Sequence, residues 1–331
     1  MNLKRIVISL FFIIFSANFA YARIYKIGVV PWAGWSPMHV ADARGFFKDQ
    51  GIDVKVVNFP SPQDMYAAFK SKVIDLEFDM LGNIVSFYME GLPVVFLCET
   101  DWSHGGDMII IKKDFDVANI KSTPIGTYLG QPVVNYFLNK YLSSIGVKFS
   151  DVKLVEMEPV ALSDKFVSGL FKVIVNFYPN TIRAETEGGG KIVASTATYE
   201  GSIPEGMAVL KDVLSGIPKA DIEKIFIGWI KSVKWSQDPT NWKDYMNILN
   251  NYTFKGEGPY SEEDLKKMLG SVKIHDVKAQ ILRNNTGGGV EDYLKNFKAF
   301  LGENNLLKKD FKAEDIFDNK VILEVLKGVS Q

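Results

Sequence analysis

The most constraining feature of this sequence is the alternation of short apolar segments with amphipathic segments of about ten residues. Ile24–Val30, Asp53–Phe59 and Val94–Thr100 have the length and composition of buried strands. The segments between the strands carry helix start and stop signals. Strands that alternate with helices form βαβ units, so we expect an α/β protein with mostly parallel sheets.

Two serine–proline pairs predict where the first helices begin. Ser36 and Ser61 each precede a proline, the combination of an N-cap residue with a first helical position. Asp64, three residues after Ser61, completes a capping box. We therefore predict one helix from Ser36 to about Phe47 and another from Ser61.

The pattern of strands and helices occurs twice and is followed by a helical last third that begins near Leu214. Gly106–Asp114 leads out of the first α/β unit and Gly206–Asp212 leads out of the second. Two strands of this kind predict two antiparallel crossovers between two lobes, with the C-terminal helices returning to the first lobe. The expected division is residues 1–22 as a signal peptide, 23–112 with 207–331 as lobe 1, and 113–206 as lobe 2.

The N-terminal residues have the pattern of a cleaved signal peptide. Lys4 and Arg5 precede an apolar run of about ten residues, and Ala20-Tyr21-Ala22 has the form of a cleavage site. The apolar run is shorter than the ~20 residues of a membrane-spanning helix. Cys98 is the only cysteine, so no N-terminal cysteine is available for a lipid anchor. We expect a soluble protein of the periplasm.

Charge excludes one class of partner. The formal net charge is -1, and the sequence contains no basic stripe or long run of like charge. A protein that binds nucleic acid needs such a basic surface. We therefore expect no nucleic acid as a partner.

A family resemblance is carried mainly by the N-terminal part of the mature chain. Ile27–Asp79 contains a strand, a loop with two tryptophans and a glycine, the pattern P-x-x-x-A, and the pattern G-F-F-x-x-x-G-I-x-V. Asp101–Ile111 and Ala313–Leu326 also match. These segments resemble the nitrate/sulfonate/taurine-type substrate-binding proteins of ABC importers, which include binders of thiamine pyrimidine precursors.

The resemblance implies a two-lobed periplasmic-binding-protein fold of type II, usually monomeric, that closes over a small ligand. It also implies a membrane permease and a cytoplasmic ATPase as partners. One segment departs from the family pattern. In Phe171–Pro179, Lys172 stands where the family has an acid, Phe177 where it has tryptophan, and Tyr178 where it has an acid. The family's second-lobe contacts therefore do not transfer directly.

Candidate ligand-binding residues follow from the topology, because ligands of open α/β sheets bind beyond the carboxyl ends of the strands. The positions that follow strands carry aromatic, acidic and polar side chains: Trp32, Trp35, Ser36, Asp79, Asp101, Trp102, Ser103, Asp107, Tyr128, Gln131, Asn176, Phe177 and Tyr178. An indole at such a position can cover a ligand with its face and donate a hydrogen bond from its N–H. The alternative for either tryptophan of the first loop is ordinary core packing.

The acids among these residues bear on the ligand's charge. A site for a bare anion avoids carboxylates and uses N–H donors, hydroxyls or basic groups. Acids beside aromatic walls suit a ligand with an amino, amidine or other cationic group. The alternative is that Asp101 or Asp107 caps a turn, in which case the helix N-termini at Pro37 and Pro132 would hold an anionic group. We expect a small organic ligand containing nitrogen or sulfur, pyrimidine-like, amino, amidine or sulfonate, rather than plain nitrate.

Catalysis is not expected. Cys98 lies inside an apolar strand, the chain has three histidines, and no cluster has metal-ligand spacing, so we predict no cofactor, no metal and no catalytic residue. Two alternatives to transport remain: a ligand-binding component for a membrane sensor, and an enzyme similar to the pyrimidine synthases of thiamine biosynthesis. A cysteine-rich motif characteristic of those enzymes is absent from this sequence.

The signal-peptide prediction can be checked by mass spectrometry. If the full-length chain is expressed in a Gram-negative host, the protein in the periplasmic fraction should begin at Arg23, because cleavage follows the small residue Ala22. An unprocessed chain in the membrane fraction would indicate a membrane anchor instead.

Overall fold

The computed structural model describes residues 23–128 and 132–329, and its strands form two separate sheets. The predicted signal peptide (residues 1–22) and Gln131 lie outside the described residues. The strands are β1 (Ile24–Val29), β2 (Asp53–Asn58), β3 (Leu76–Met80), β4 (Val94–Ser103), β5 (Asp107–Lys112), β6 (Ile125–Tyr128), β7 (Leu154–Met157), β8 (Val173–Phe177), β9 (Gly190–Ser195), β10 (Pro204–Leu210) and β11 (Val272–Ile274). One described sheet has six strands in the order β11-β4-β10-β3-β1-β2, and the other has five in the order β7-β6-β8-β5-β9. The expectation of a two-sheet α/β fold is confirmed.

Both sheets combine parallel strands with the antiparallel crossover strands that the sequence predicted. Parallel pairing joins β1 to β2 and β3, and β6 to β7 and β8. The strand β10 is antiparallel to both β3 and β4, and β5 is antiparallel to both β8 and β9. Each of these two strands enters its sheet directly from the other sheet and runs against the βαβ direction, and β11 adds an antiparallel pair with β4 at the edge of the six-stranded sheet.

The two crossings between the sheets lie slightly earlier in the chain than expected. The strand β5 pairs only with strands of the five-stranded sheet, so the first crossing precedes Asp107 and does not follow residue 112. The second crossing lies between Ser195 and Pro204. We use lobe 1 for the six-stranded sheet with its helices and lobe 2 for the five-stranded sheet with its helices.

The helices cover the sheets and fill the last third of the chain. They are α1 (Ser36–Ala43), α2 (Pro62–Lys70), α3 (Leu81–Met89), α4 (Pro132–Ser144), α5 (Pro159–Val167), α6 (Thr181–Thr186), α7 (Lys211–Ser215), α8 (Lys219–Ser236), α9 (Trp242–Ile248), α10 (Glu262–Gly270), α11 (Val277–Asn284), α12 (Gly289–Glu303), α13 (Ala313–Ile316) and α14 (Lys320–Val329). Helix α8 packs on α1 and α14, and α11 and α14 pack on β4. The C-terminal helices therefore return to lobe 1, as the sequence predicted.

One of the two predicted helix caps is confirmed and the other is wrong. Ser61 is the N-cap of α2 and its Oγ accepts a hydrogen bond from the Asp64 N–H at 3.2 Å. Ser36 is the first residue of α1, not its cap, because a short 3₁₀ turn over Ala33–Trp35 precedes the helix. The Ser36 hydroxyl donates back to the Ala33 carbonyl at 2.6 Å, which holds the turn and the helix together.

A buried ion cluster ties the helical C-terminal part to lobe 1. Glu99 on β4 is fully buried, and its Oε1 lies 2.8 Å from His275 Nε2 and 2.8 Å from Arg283 Nε. Arg283 Nη2 donates to the other oxygen at 2.8 Å, so the guanidinium holds the carboxylate with two bonds. The charge and hydrogen bonds of these partners keep the pKa of Glu99 below its usual value in spite of burial.

Removing Arg283 should destabilise the protein strongly. Arg283→Ala leaves a buried carboxylate with only His275 beside it, and breaking a buried pair in this way costs about 3 kcal/mol. The free energy of unfolding in urea measures the effect. The matched control is Arg183→Ala, which removes an exposed arginine paired with Asp164 and Glu187 and should leave the unfolding free energy close to wild type. Equal effects of the two substitutions would contradict the assigned role of Glu99.

Candidate ligand-binding cleft

A cavity lies where the two sheets face each other. Its described lining comes from both lobes: Val30, Pro31, Trp32, Trp35, Pro62, Gln63, Met65, Tyr66, Asp79, Met80 and Glu205 from lobe 1, and Asp107, Tyr128, Glu158, Pro159 and Phe177 from lobe 2. The parallel strands β1, β3, β6 and β8 end at this edge. The antiparallel strands β5 and β10 begin at the same edge. Side chains at strand ends and strand starts therefore meet in one place.

Aromatic rings form much of the wall. Trp32 of lobe 1 meets Phe177 of lobe 2 edge to face, with ring centroids 6.3 Å apart. Tyr128 meets the same phenylalanine at 5.1 Å. Trp35 lines the cavity and also contacts Phe78 of the lobe 1 core at 6.2 Å. Apolar rings thus cross the boundary between the lobes and give the cleft flat surfaces against which a planar ligand can pack.

The loop after β1 approaches the acids of the site closely because it contains Gly34. A Cβ at this position would lie 2.1 Å from Asp101 Oδ2 and 2.7 Å from Trp32 Nε1. No side chain fits at these distances. The glycine therefore allows the Trp32 indole to reach inward, where its Nε1 donates to Glu205 Oε2 at 2.5 Å.

Asp79, at the end of β3, has one bonded oxygen and one free oxygen. Its Oδ1 accepts hydrogen bonds from the Met80 N–H at 2.8 Å, from Asn83 Nδ2 at 3.0 Å and from the Tyr66 hydroxyl at 3.3 Å. Its Oδ2 is buried and has no hydrogen-bond partner within the described part of the chain. Burial raises the pKa of Asp79 from 3.8 to about 7, although the three donors oppose the shift.

Asp107, at the start of β5, supplies the acid of lobe 2. Its Oδ1 accepts a hydrogen bond from the Tyr128 hydroxyl, and its backbone N–H donates to Ser103 Oγ at 3.1 Å. Burial raises the pKa of Asp107 to about 6. The same carboxylate, together with burial, raises the pKa of the Tyr128 phenol well above its usual value, so Tyr128 remains a hydrogen-bond donor.

Glu205 is the third buried acid of the cavity. It occupies the second position of β10, directly across from Asp101 of β4 in the sheet register. Both side chains are buried. Burial, followed by the charge of Asp101, raises the pKa of Glu205 well above its ordinary value.

The charged side chains among the described lining residues are all acidic. Four of the described lining residues are acids, and none is lysine, arginine or histidine. Glu158 is exposed at the rim, whereas Asp79, Asp107 and Glu205 are buried. An uncompensated buried carboxylate is costly, so such a site favours either bound protons or a bound cation.

The structure brings together about half of the residues predicted for the site. Those that line the cavity are Trp32, Trp35, Asp79, Asp107, Tyr128 and Phe177. Asp101 lies one layer behind, against Glu205. Five predicted residues lie off the cavity wall: Ser36, Trp102, Ser103, Asn176 and Tyr178. Gln131 lies outside the described residues.

The residues off the cavity wall have structural contacts instead. Ser36 bonds to Tyr245 Oη at 2.6 Å, and Ser103 bonds to Thr196 Oγ1 at 2.7 Å. Trp102 packs edge to face on His275 with Arg283 over its ring. Asn176 donates to the Pro159 carbonyl at 2.8 Å and so fixes the start of α5. The side chain of Tyr178, the residue after β8, is not among those that line the cavity.

Sequence inspection missed four lining residues that carry polar groups: Gln63, Tyr66, Glu158 and Glu205. Glu205 was missed because only positions after strands were considered, whereas an antiparallel strand contributes its first residues to the same edge. An acid between Pro204 and Gly206, just before an apolar strand, was the available signal. Tyr66 lies on α2, and no strand end pointed to it.

Other reactive groups do not form a second centre in the described residues. Cys98 is fully buried in β4, and burial raises the pKa of its thiol far above the usual range, so it is not a nucleophile. Within residues 23–128 and 132–329, no three His, Cys, Asp or Glu side chains are grouped to hold a metal ion. A search of the same residues for a helix with the length and apolar character of a membrane span found none.

Residues 32–205 match the model of a protein family described as NMT1/THI5 like. This match covers more than half of the sequence. The chain belongs to the NMT1/THI5-like family. The matched segment runs from the first tryptophan of the cleft to its last acid.

Two curated relatives are similar to this NMT1/THI5-like chain over part of their length. A putative binding protein, YtlA, from Bacillus subtilis is 28% identical over 188 residues, which are 51% of this chain and 53% of that protein. The formylaminopyrimidine-binding protein of Halalkalibacterium halodurans is 27% identical over 145 residues, 43% of each chain. The matches span about half of each relative or less.

Solved structures establish the fold over nearly the whole chain. The ligand-binding component of an ABC-type import system from Staphylococcus aureus has a TM-score of 0.73 at 12% identity and covers 92% of this chain and 99% of its own. The nitrate-binding protein NrtA from Synechocystis has a TM-score of 0.72 at 12% identity and covers 93% of this chain and 89% of its own. The aliphatic sulphonate-binding protein SsuA from Escherichia coli has a TM-score of 0.70 at 14% identity and covers 90% of this chain and 92% of its own. By name, these relatives and neighbours are binding proteins and not enzymes.

The buried acids should make stability depend on pH. A carboxyl with a raised folded-state pKa keeps its proton in the folded protein after the unfolded chain has lost it, so stability falls as pH rises from about 4 to about 7. For Asp79 the difference between 3.8 and about 7 corresponds to about 4 kcal/mol. Asp79→Asn should remove this part of the decline between about pH 4 and pH 8, as measured by urea unfolding. The control is the exposed acid Asp310→Asn, and parallel profiles for wild type and Asp79→Asn would contradict the assignment.

Proposed function

We propose that this protein is the ligand-binding component of an ABC importer and captures a small, planar, nitrogen-containing organic cation between its lobes. The supporting observation is the cleft itself. Three buried acids and several aromatic rings line it, and no basic side chain is present among its described lining residues. Delivery to a membrane permease with its ATPase is proposed from the neighbouring structures, which include components of ABC import systems.

The charge of the cleft argues for a cation over an anion. Nitrate or a sulfonate would be placed beside Asp79, Asp107 and Glu205 without a compensating positive group, which is unfavourable in a dry site. An amino, amidine or aminopyrimidine nitrogen instead donates hydrogen bonds to these carboxylates. The ring of such a ligand packs on Trp32 and Phe177. That one partial relative is named for binding formylaminopyrimidine supports this class.

A location outside the cytoplasmic membrane is part of the proposal. The pattern of residues 1–22 predicts export, and several proteins of the same fold are described as periplasmic. The protein would there collect its ligand as a free, soluble receptor.

A thermal-shift screen of the chain from Arg23 onward tests the ligand class. The panel contains 4-aminopyrimidine, benzamidine, taurine and nitrate. A ligand at a hundred times its dissociation constant adds ~2.7 kcal/mol, which raises Tm by several degrees. We expect a shift with 4-aminopyrimidine or benzamidine. A shift with nitrate only would show that the acids do not contact the ligand, and a shift with taurine only would show that the ligand is not a planar cation, because taurine is a flexible zwitterion with both an ammonium and a sulfonate group. Either result would overturn the proposal.

Two variants locate the binding. Trp32→Ala should abolish the shift because it removes a wall of the cleft and the N–H bonded to Glu205, and Asp79→Asn should weaken binding about tenfold or more. The matched control is Trp102→Phe, which alters a tryptophan off the cavity wall. Loss of binding in this control but not in Trp32→Ala would place the site elsewhere.

A further inference from the structure

Five buried acids in and behind the cleft have no positive partner. Glu77, Asp79, Asp101, Asp107 and Glu205 are all at most 3% exposed. Within the described residues, none of them lies within 4.0 Å of a lysine, arginine or histidine nitrogen. A sixth buried acid, Glu99, does have such partners.

Glu99 shows how basic partners change the ionisation state of a buried acid. His275 and Arg283 hold Glu99 as a carboxylate in the same sheet. The cleft acids have only neutral donors, such as Tyr66 and Asn83 beside Asp79. Hydrogen bonds from neutral groups do not offset the desolvation of a full negative charge as a guanidinium does. The neutral form is therefore favoured in the cleft and the ionised form at Glu99.

Two geometric features of the cluster favour protonated acids. Glu205 and Asp101 are both buried and are paired directly across adjacent strands, where two ionised carboxylates would repel each other. Behind Asp79, Glu77 lies two residues earlier on β3 and therefore on the same face of the sheet. Both Glu77 oxygens are buried without a partner in the described chain, which is tolerable for an acid but not for a carboxylate.

The charged and titratable groups on the surrounding elements do not reverse the effect of burial on the pKa of the cleft acids. Burial raises the pKa of Glu77 and of Asp101. The charge of Lys70 on α2 lowers the pKa of Glu77, and His275 beside β11 lowers that of Asp101, but both effects are smaller than that of burial. Asp107 of lobe 2 and Glu205 of lobe 1 repel each other across the cleft when ionised. Tyr128 and Tyr66 face the acids as neutral phenols, and Glu158 lies at the exposed rim.

We propose that the cleft exchanges protons for its ligand: Asp79 and Asp107 are neutral in the ligand-free protein, and a cationic ligand releases their protons to solvent when it binds. In each exchange the carboxyl O–H bond breaks, the proton passes to water or buffer, and the carboxylate accepts a hydrogen bond from the ligand's N–H group. This inference rests on the proposed function and specifies the ligand as a cation.

The exchange makes the affinity for the ligand depend on pH, and it fixes the direction of that dependence. At low pH the protons compete with the ligand, so affinity for a cation of fixed charge rises as pH rises. It levels off once both acids are ionised in the free protein. Ionisation without a cation leaves Asp107 and Glu205 repelling each other, so a cation also favours the approach of the lobes.

Benzamidine is a suitable probe because it is a planar cation throughout this pH range. Calorimetric titrations from about pH 5.5 to about pH 8 should show affinity rising by up to about tenfold per pH unit for each proton released. At about pH 7 the binding heat should differ between phosphate and imidazole buffers, since released protons are taken up by the buffer. Asp79→Asn and Asp107→Asn should each make the pH dependence shallower, and the surface variant Asp310→Asn should not.

Infrared spectroscopy tests the ligand-free state independently. Protonated carboxyl groups give a C=O stretch separate from the carboxylate bands. The ligand-free protein should show this band at about pH 7 and lose part of it when benzamidine binds. The part lost should be absent in Asp79→Asn.

The outcomes separate the two proposals. Affinity that is independent of pH, with buffer-independent heat, would overturn proton exchange and leave the binding function intact. Absence of the protonated-carboxyl band in the free protein would also overturn it, whatever the ligand. If neither 4-aminopyrimidine nor benzamidine binds at any pH, the proposed function is wrong and the exchange is overturned with it.

Discussion

The cost of burying carboxyl groups away from positive charge governs the centre of this protein. Asp79, Asp107 and Glu205 lie in a dry cleft lined by Trp32 and Phe177, and no basic side chain is present among its described lining residues. Desolvation raises the pKa of each acid. The folded state can bear this arrangement because protons can neutralise the acids, and in the exchange that we propose a cation replaces them. Ligand choice and pH response then have the same physical origin.

The paths of two strands create the cleft. The chain crosses from the six-stranded sheet into β5 and returns from the five-stranded sheet into β10. Both strands begin at the edge where the parallel strands end. Asp107 and Glu205 lie at the starts of these strands, and Asp79 lies at the end of a parallel strand. The crossings that join the lobes therefore also deliver acids to both sides of the cavity.

The fold does not determine what is bound. Proteins named for binding nitrate and sulphonate have this architecture with TM-scores of 0.72 and 0.70, yet share only 12% and 14% of their residues with this chain. The same backbone positions can carry other side chains, so the charge of the cleft must be read from its own residues. Acids and rings here favour a cation, and the partial similarity to a formylaminopyrimidine-binding protein is consistent with that reading.

The sequence by itself determined the α/β class, the helical last third and six residues of the cleft wall, because strand periodicity and strand ends are local features. The family came from resemblance to known motifs. The sequence did not determine that Ser36 lies inside α1 or that Trp102 packs on His275. Glu205 joined the site only through antiparallel pairing with β3 and β4. Whether an acid is charged or neutral was likewise decided by tertiary structure. Glu99 meets Arg283 from 184 residues away, and Asp79 meets no cation among the described residues. Burial and long-range partners set a pKa, and neither is encoded in the spacing of neighbouring residues.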